Sequence, residues 1–240
     1  MKRQSWLVAR ILTLCEVIHA PEVAFARSLE GPSYLVPFCI LGACFVLLAF
    51  LQAPLSLSWA QRQMEAAGSP PAQVAAGLAA MWRSMRWGAA AAPALLFLKW
   101  LLFATMLWLT SQVFLADLGF SRVLNIVAYS YPPILLRDAA ILFILWMQGD
   151  AALNQPNPMS VAIGLNLLLP QLKLPWSSLA GNINLFEFWY VLLLTVGLSK
   201  LAAAPWRKAL ALALPSWLFA LFFQFSLVLL GLSISANLSR

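Results

Sequence analysis

The sequence predicts an all-α membrane protein: a helical bundle that crosses the bilayer about five times, with amphipathic helices at its surface. Three observations carry this. Of 240 residues, 62% are hydrophobic and only 10% charged, where soluble domains run at roughly 25% charged, and the mean hydropathy is +0.84. Apolar runs long enough for the ~30 Å hydrocarbon core recur along the chain. The fifteen Lys and Arg residues stand singly or in pairs between those runs, so the net charge of +7 and pI near 9.8 mark topology and not a nucleic-acid surface.

Residues 1–33 read as a cytoplasmic amphipathic segment and 34–240 as the five-span domain. Lys2 and Arg3 open the chain as a signal peptide would, but Arg10 and Glu16 interrupt the apolar stretch and no small-residue cleavage site closes it. No cleavable signal is expected. Leu7, Ile11, Leu14 and Ile18 recur at helical spacing while Arg3, Arg10 and Thr13 take another face, giving an amphipathic helix that ends at Pro21. Such a helix lies along the membrane surface or docks on its own bundle.

The spans follow in order. The first, about 34–53, has no charge. From Pro54 to Trp87 the chain turns amphiphilic: Ser69 before Pro70 and Pro71 makes a helix start, and Val74, Leu78, Met81 or Trp82, and Met85 form a stripe opposite Gln73, Gly77 and Arg83. This part reads as an interfacial helix or hairpin. The second span, about 89–115, carries Pro93 and a lone Lys99, and the third, about 123–147, carries the Pro132-Pro133 pair and then Arg137 and Asp138. A loop over 149–182, rich in Asn and Pro, receives no firm structure, although 161–169 could dip into the interface. The fourth span is about 183–201, with Glu187 near its start, and the fifth about 209–232; Pro205, Trp206, Arg207 and Lys208 between them resemble a cytoplasmic anchor.

With five spans and the N-terminus inside, Lys2, Arg3, Arg10, Arg27, Arg122, Lys200, Arg207 and Lys208 face the cytoplasm, against Arg62, Arg83, Arg86, Lys173 and Arg240 outside. The bias favours a cytoplasmic N-terminus.

An ionisable group in hydrocarbon costs several kcal/mol, so each must face protein, water or a partner charge. Lys99, Arg137, Asp138 and Glu187 are therefore the candidate polar cluster. Along ideal helices Lys99 and Asp138 fall at similar depth, which suggests an ion pair, with Arg137 on another face reaching Glu187, a loop carbonyl or a headgroup. A helix break at Pro132-Pro133 would instead make Asp138 shallow and let Arg137 snorkel. The cluster reads either as a binding site for an anionic lipid or ion, or a proton path, or as structural glue between helices.

Catalytic and metal readings find no support in the pattern. Cys15, Cys39 and Cys44 lack CxxC spacing, His19 is the lone histidine, and no HExxH, GxSxG or phosphate-cradling glycine motif occurs. No cofactor, metal or catalytic residue is assigned.

Two local patterns resemble a known family. Ser28-Leu29-Glu30-Gly31-Pro32 is similar to the Asp-Leu-x-Gly-Pro motif of the Yip1 domain family, and Ala128-Tyr129-Ser130-Tyr131-Pro132 to its Tyr-Gly-Tyr-Ser segment with a following proline. The bacterial branch also tends to show a surface helix ending at a proline and an aromatic, as in Ala20-Pro21-Glu22-Val23-Ala24-Phe25, and an aromatic-rich fourth span, as in Phe186-Glu187-Phe188-Trp189. Ser28 replaces the motif aspartate and Ala128 breaks the second motif where glycine is expected; Leu29, Gly31, Pro32, Tyr129, Ser130 and Pro132 match. Gly31-Pro32 would make a sharp entry into the first span, and Tyr129 and Ser130 would offer hydroxyls to backbone groups freed by the prolines.

The resemblance implies five spans and a cytoplasmic N-terminus, with eukaryotic relatives tied to small GTPases and vesicle traffic. The charge bias and the absence of a long acidic or Gln-rich tail suit a bacterial inner membrane better than a Golgi one. The expected role is a non-enzymatic scaffold or assembly partner of a membrane complex, or a lipid-interacting factor, with membrane lipids and other membrane proteins or further copies of itself as partners and no nucleic acid. The competing class is a small transporter, channel or lipid scramblase using the charged cluster.

Overall fold

The computed structural model describes residues 2–29, 31, 34–114, 118–149, 161–173 and 175–238. The described residues form helices and turns: α1 Lys2–Glu16, α2 Pro21–Ser28, α3 Leu35–Ala66, α4 Pro71–Phe114, α5 Phe120–Ser130, α6 Pro132–Gln148, a 3-10 turn Leu165–Leu167, α7 Trp176–Gly181, α8 Leu185–Ala202 and α9 Trp206–Leu238. Among the described residues, five stretches are long and apolar enough to cross a membrane: α3, α4, the α5–α6 pair, α8 and α9. Each contains or closely overlaps an expected span.

Two compact units divide the chain. One comprises Met1–Pro37, Lys99–Ile134 and Ala162–Arg240; the other comprises Phe38–Leu98 and Leu135–Val161. In the first, α2 packs on α1, α5 and α8, and α8 packs on α5 and α9. α5 is wrapped by protein: residues 123–130 are all buried, Asn125 among them.

Residues 54–87 form the hairpin of the two expected alternatives, continuous with the helices on either side. α3 runs on through Pro54 to Ala66 and α4 begins already at Pro71. At 1.5 Å per residue the 32 residues of α3 reach about 48 Å, well beyond a ~30 Å hydrocarbon core. The connection is tight. Gly68 adopts φ +73°, the Ser69 N–H donates to Met64 O and the Gly68 N–H to Glu65 O, a Schellman closure that favours glycine at this point. The Ser69-Pro70-Pro71 helix start is where the sequence placed it, and Gly77, on the expected polar side of α4, faces the Met64 thioether.

The third span is irregular for the expected reason. Pro132 and Pro133 lack N–H groups, so α5 stops at Ser130, Tyr131 closes it with an N–H to Ala128 O, and α6 restarts with both prolines in its first turn.

The N-terminal helix differs from expectation in which way it faces. α1 stops at Glu16, and Pro21 opens a further helix, α2, that the sequence reading did not foresee. Arg10 and Thr13, on the face opposite the expected apolar stripe, are buried with Leu14 and Val17, while Ile11 and Ile18 of that stripe are exposed. The protein offers Arg10 an acceptor there, its guanidinium donating to Arg27 O at 3.0 Å, while the Thr13 hydroxyl is satisfied within its own helix by Ala9 O at 2.8 Å.

Candidate functional site

The segment around Ser28 and the segment around Tyr129 meet in the first unit. α2 ends at Ser28, and a helix end leaves carbonyls without intrahelical partners. Three groups take them up. Arg10 binds Arg27 O, the Asn125 side chain donates to Ser28 O at 2.9 Å, and the Leu29 N–H closes on Phe25 O at 3.1 Å. Asn125 lies one turn before Tyr129 on α5, so both segments share one buried face of that helix. Ser28 itself is fully buried, its hydroxyl donating to Phe25 O.

Packing around this junction depends on a glycine. A Cβ on Gly197 of α8 would stand 2.6 Å from Ile126 Cγ2 and 3.0 Å from Phe25 Cε1. Only a missing side chain lets α8 approach α5 and the fully buried Phe25 of α2 this closely.

The matching motif positions are distributed as follows. Leu29 caps α2, Gly31 lies beside the Arg10 guanidinium, Tyr129 is fully buried and Pro132 opens α6, while Pro32 falls outside the described residues. The Ser130 hydroxyl is buried and has no hydrogen-bond partner among the described residues. It therefore does not serve the carbonyls freed by the prolines, as the sequence had suggested.

A second polar constellation lies in the same unit. Lys99 and Glu187 line one cavity of about 30 Å³, walled by Trp100, Tyr131, Tyr190 and Trp217, with Gln224 adding an amide. Glu187 is held in place from both sides: the Asn184 side chain caps α8 by accepting the Glu187 N–H at 3.0 Å, and the Trp217 indole N–H of α9 donates to the Glu187 carboxylate at 3.2 Å. Placement in the first turn of α8 favours a carboxylate through the helix dipole. Lys99 carries its ammonium 5.7 Å from the Tyr131 ring centroid, within the range of cation–π attraction. Tyr131 packs edge-on against both Trp100 and Tyr190, 5.5 and 5.8 Å between centroids. A volume of about 30 Å³ is enough for the cavity to admit water.

Arg137 and Asp138 belong to the second unit, where Arg137 folds back on its neighbour, Nε to Oδ1 2.8 Å. Within the first unit Lys99 shares a cavity with Glu187, and within the second Arg137 pairs with Asp138.

Asn125, Gly197 and Trp217 were given no role from the sequence, and Arg10 was placed only on the polar face of the N-terminal helix. Asn125 carried the best signal, an amide in an apolar stretch four residues before the Tyr129 motif. Gly197 and Trp217 carry none without knowledge of which helices touch.

Comparison with known proteins agrees with the motifs. A family model, the Yip1 domain, matches residues 15–228. No curated protein matches the chain, and no solved structure does. The chain belongs to the Yip1 domain family, and it is an integral membrane protein.

Proposed function

We propose that this Yip1 domain protein acts without catalysis, as a scaffold or assembly partner of a membrane complex or as a factor that engages lipids. The observation carrying this reading is the way the intramembrane charges are used. Glu187 is 8% exposed and bound to Trp217, and the cavity it shares with Lys99 is filled by aromatic rings down to about 30 Å³. Charges spent on holding α4, α8 and α9 together are glue between helices. The family is not known as enzymatic.

The outer faces support the same reading. α8 and α9 turn Leu192, Leu218, Phe219, Phe222 and Phe223 outward, an apolar surface suited to lipid tails or to the apolar face of another membrane helix. We place the protein in a bacterial inner membrane with its N-terminus in the cytoplasm, because the positive charges favour that side.

The test is extraction from native membranes in lipid-preserving particles, followed by identification of copurifying proteins and lipids. A stoichiometric membrane-protein partner, a second copy, or a lipid enriched over the bulk membrane is expected. Recovery as a lone monomer with bulk lipid composition overturns the reading.

A further inference from the structure

The surface of the N-terminal segment is inside out. Between Val8 and His19 the residues turned away from the protein are Val8, Ile11, Leu12, Cys15 and Ile18, with Ala9 and His19; Val8 and Leu12 are each 54% exposed. No Lys, Arg, Asp or Glu lies among them. The arginine and threonine of this stretch face inward, Arg10 at 8% and Thr13 at 0% exposure. A helix bathed in water has the reverse arrangement, with its charges outside.

The position of α2 fixes where this face lies. Glu22 in its first turn is paired at 2.7 Å with Lys200 in the last turn of α8, and its far end leads through Leu29 and Gly31 to the start of α3 at Leu35. Both ends of α2 are thus tied to the ends of membrane-spanning helices, and α1 packs against α2. α1, packed on α2, is therefore held beside the ends of these spans.

We propose that α1 is an in-plane anchor whose Val8, Ile11, Leu12, Cys15 and Ile18 face lies among the upper acyl chains of one leaflet, while its polar face clasps α2 through Arg10. The occupant of this face is lipid, because the face is apolar, is held beside the end of a membrane-spanning helix through the Glu22–Lys200 pair, and carries no charge to recognise a soluble protein. The polar–apolar order along α1 makes the segment a clamp between leaflet and protein: the same helix that buries Arg10 against the Arg27 carbonyl holds α2 at the interface. The proposal rests on membrane residence alone, so its failure leaves the assembly role untouched.

Cys15 supplies the probe. In full-length protein carrying Cys39→Ala and Cys44→Ala, a nitroxide is attached at Cys15, or at Leu12→Cys in a Cys15→Ala background, with Gln73→Cys on the exposed side of α4 as the aqueous reference. The protein is reconstituted into vesicles of phosphatidylethanolamine and phosphatidylglycerol, and collision with oxygen is compared with collision with a nickel chelate. Labels at 12 and 15 are expected to favour oxygen several-fold over the reference. Nickel access equal to that at Gln73 overturns the proposal, and so does spin–spin broadening, which would put a second copy on this face. Leu12→Glu provides an independent check at an exposed position: a folded protein whose Cys15 label moves toward nickel access supports the anchor, and one whose label is unmoved contradicts it.

Discussion

All residues from 123 to 130 of α5 are buried, whereas between 71 and 88 of α4 only Val74 is. Both stretches are helical and largely apolar, yet they are held by different means. α5 is fixed by directed contacts: an amide on the Ser28 carbonyl, Ile126 against a bare glycine, a proline pair closing its end. The 71–88 stretch has a Schellman turn at one end and touches α3 through adaptable groups, the Met64 thioether at Gly77 and the Phe50–Trp82 ring pair 6.4 Å apart. Specific structure in this protein is concentrated where the two family motifs meet, and the long hairpin is built for length and exposure.

The sharpest way to break that contrast uses two glycines. Gly197→Ala drives a methyl into Ile126 and Phe25 and is expected to cost about 1–3 kcal/mol, while Gly88→Ala, which meets nothing within 4 Å, is expected to be neutral or to stabilise by up to ~1 kcal/mol. Thermal unfolding in detergent measures both; equal effects would erase the distinction. Next is Asn125→Ala, which strips the amide from the buried Ser28 carbonyl and should destabilise by about 1–3 kcal/mol. Limited proteolysis of α1–α2 would report the loosened strap.

Smaller effects sharpen the picture at the cavity. Glu187→Leu leaves the buried Trp217 indole N–H without its acceptor and should cost about 1–3 kcal/mol, whereas Glu187→Gln keeps an acceptor and should cost less. Tryptophan fluorescence and thermal stability of the two variants separate hydrogen bonding from charge. Smallest is the exposed pair of Glu22 and Lys200. The hydrogen bond from Lys200 and its positive charge hold the Glu22 carboxyl below the ordinary glutamate range. Its stabilising contribution is therefore present above that range and fades as pH falls through the lowered value. Exposure and salt screening keep it small, and acid titration of wild type against Glu22→Gln in high salt should show no difference.

Much of the fold was legible from apolar length and punctuation. The spans, the Ser69-Pro70-Pro71 start and the break at Pro132-Pro133 follow from chain-local chemistry, and so does the family, through Leu29, Gly31, Tyr129 and Pro132. The polar cluster was legible as a set; that Lys99 shares a cavity with Glu187 was not, because depth along ideal helices says nothing about rotation. Which face of α1 meets the protein was not legible from amphipathicity alone. In a membrane protein the apolar face can be the outer one, and Arg10 turned inward because a helix end offered it carbonyls.

The central claim is that the intramembrane charges hold helices together and do not form a path. Purified protein in sealed liposomes, assayed for ion release and for lipid scrambling, tests it most directly. The account predicts rates equal to those of protein-free vesicles, with Glu187→Gln and Lys99→Ala lowering thermal stability alone. A reproducible rate above that background, lost in Glu187→Gln while the protein stays folded, would contradict it.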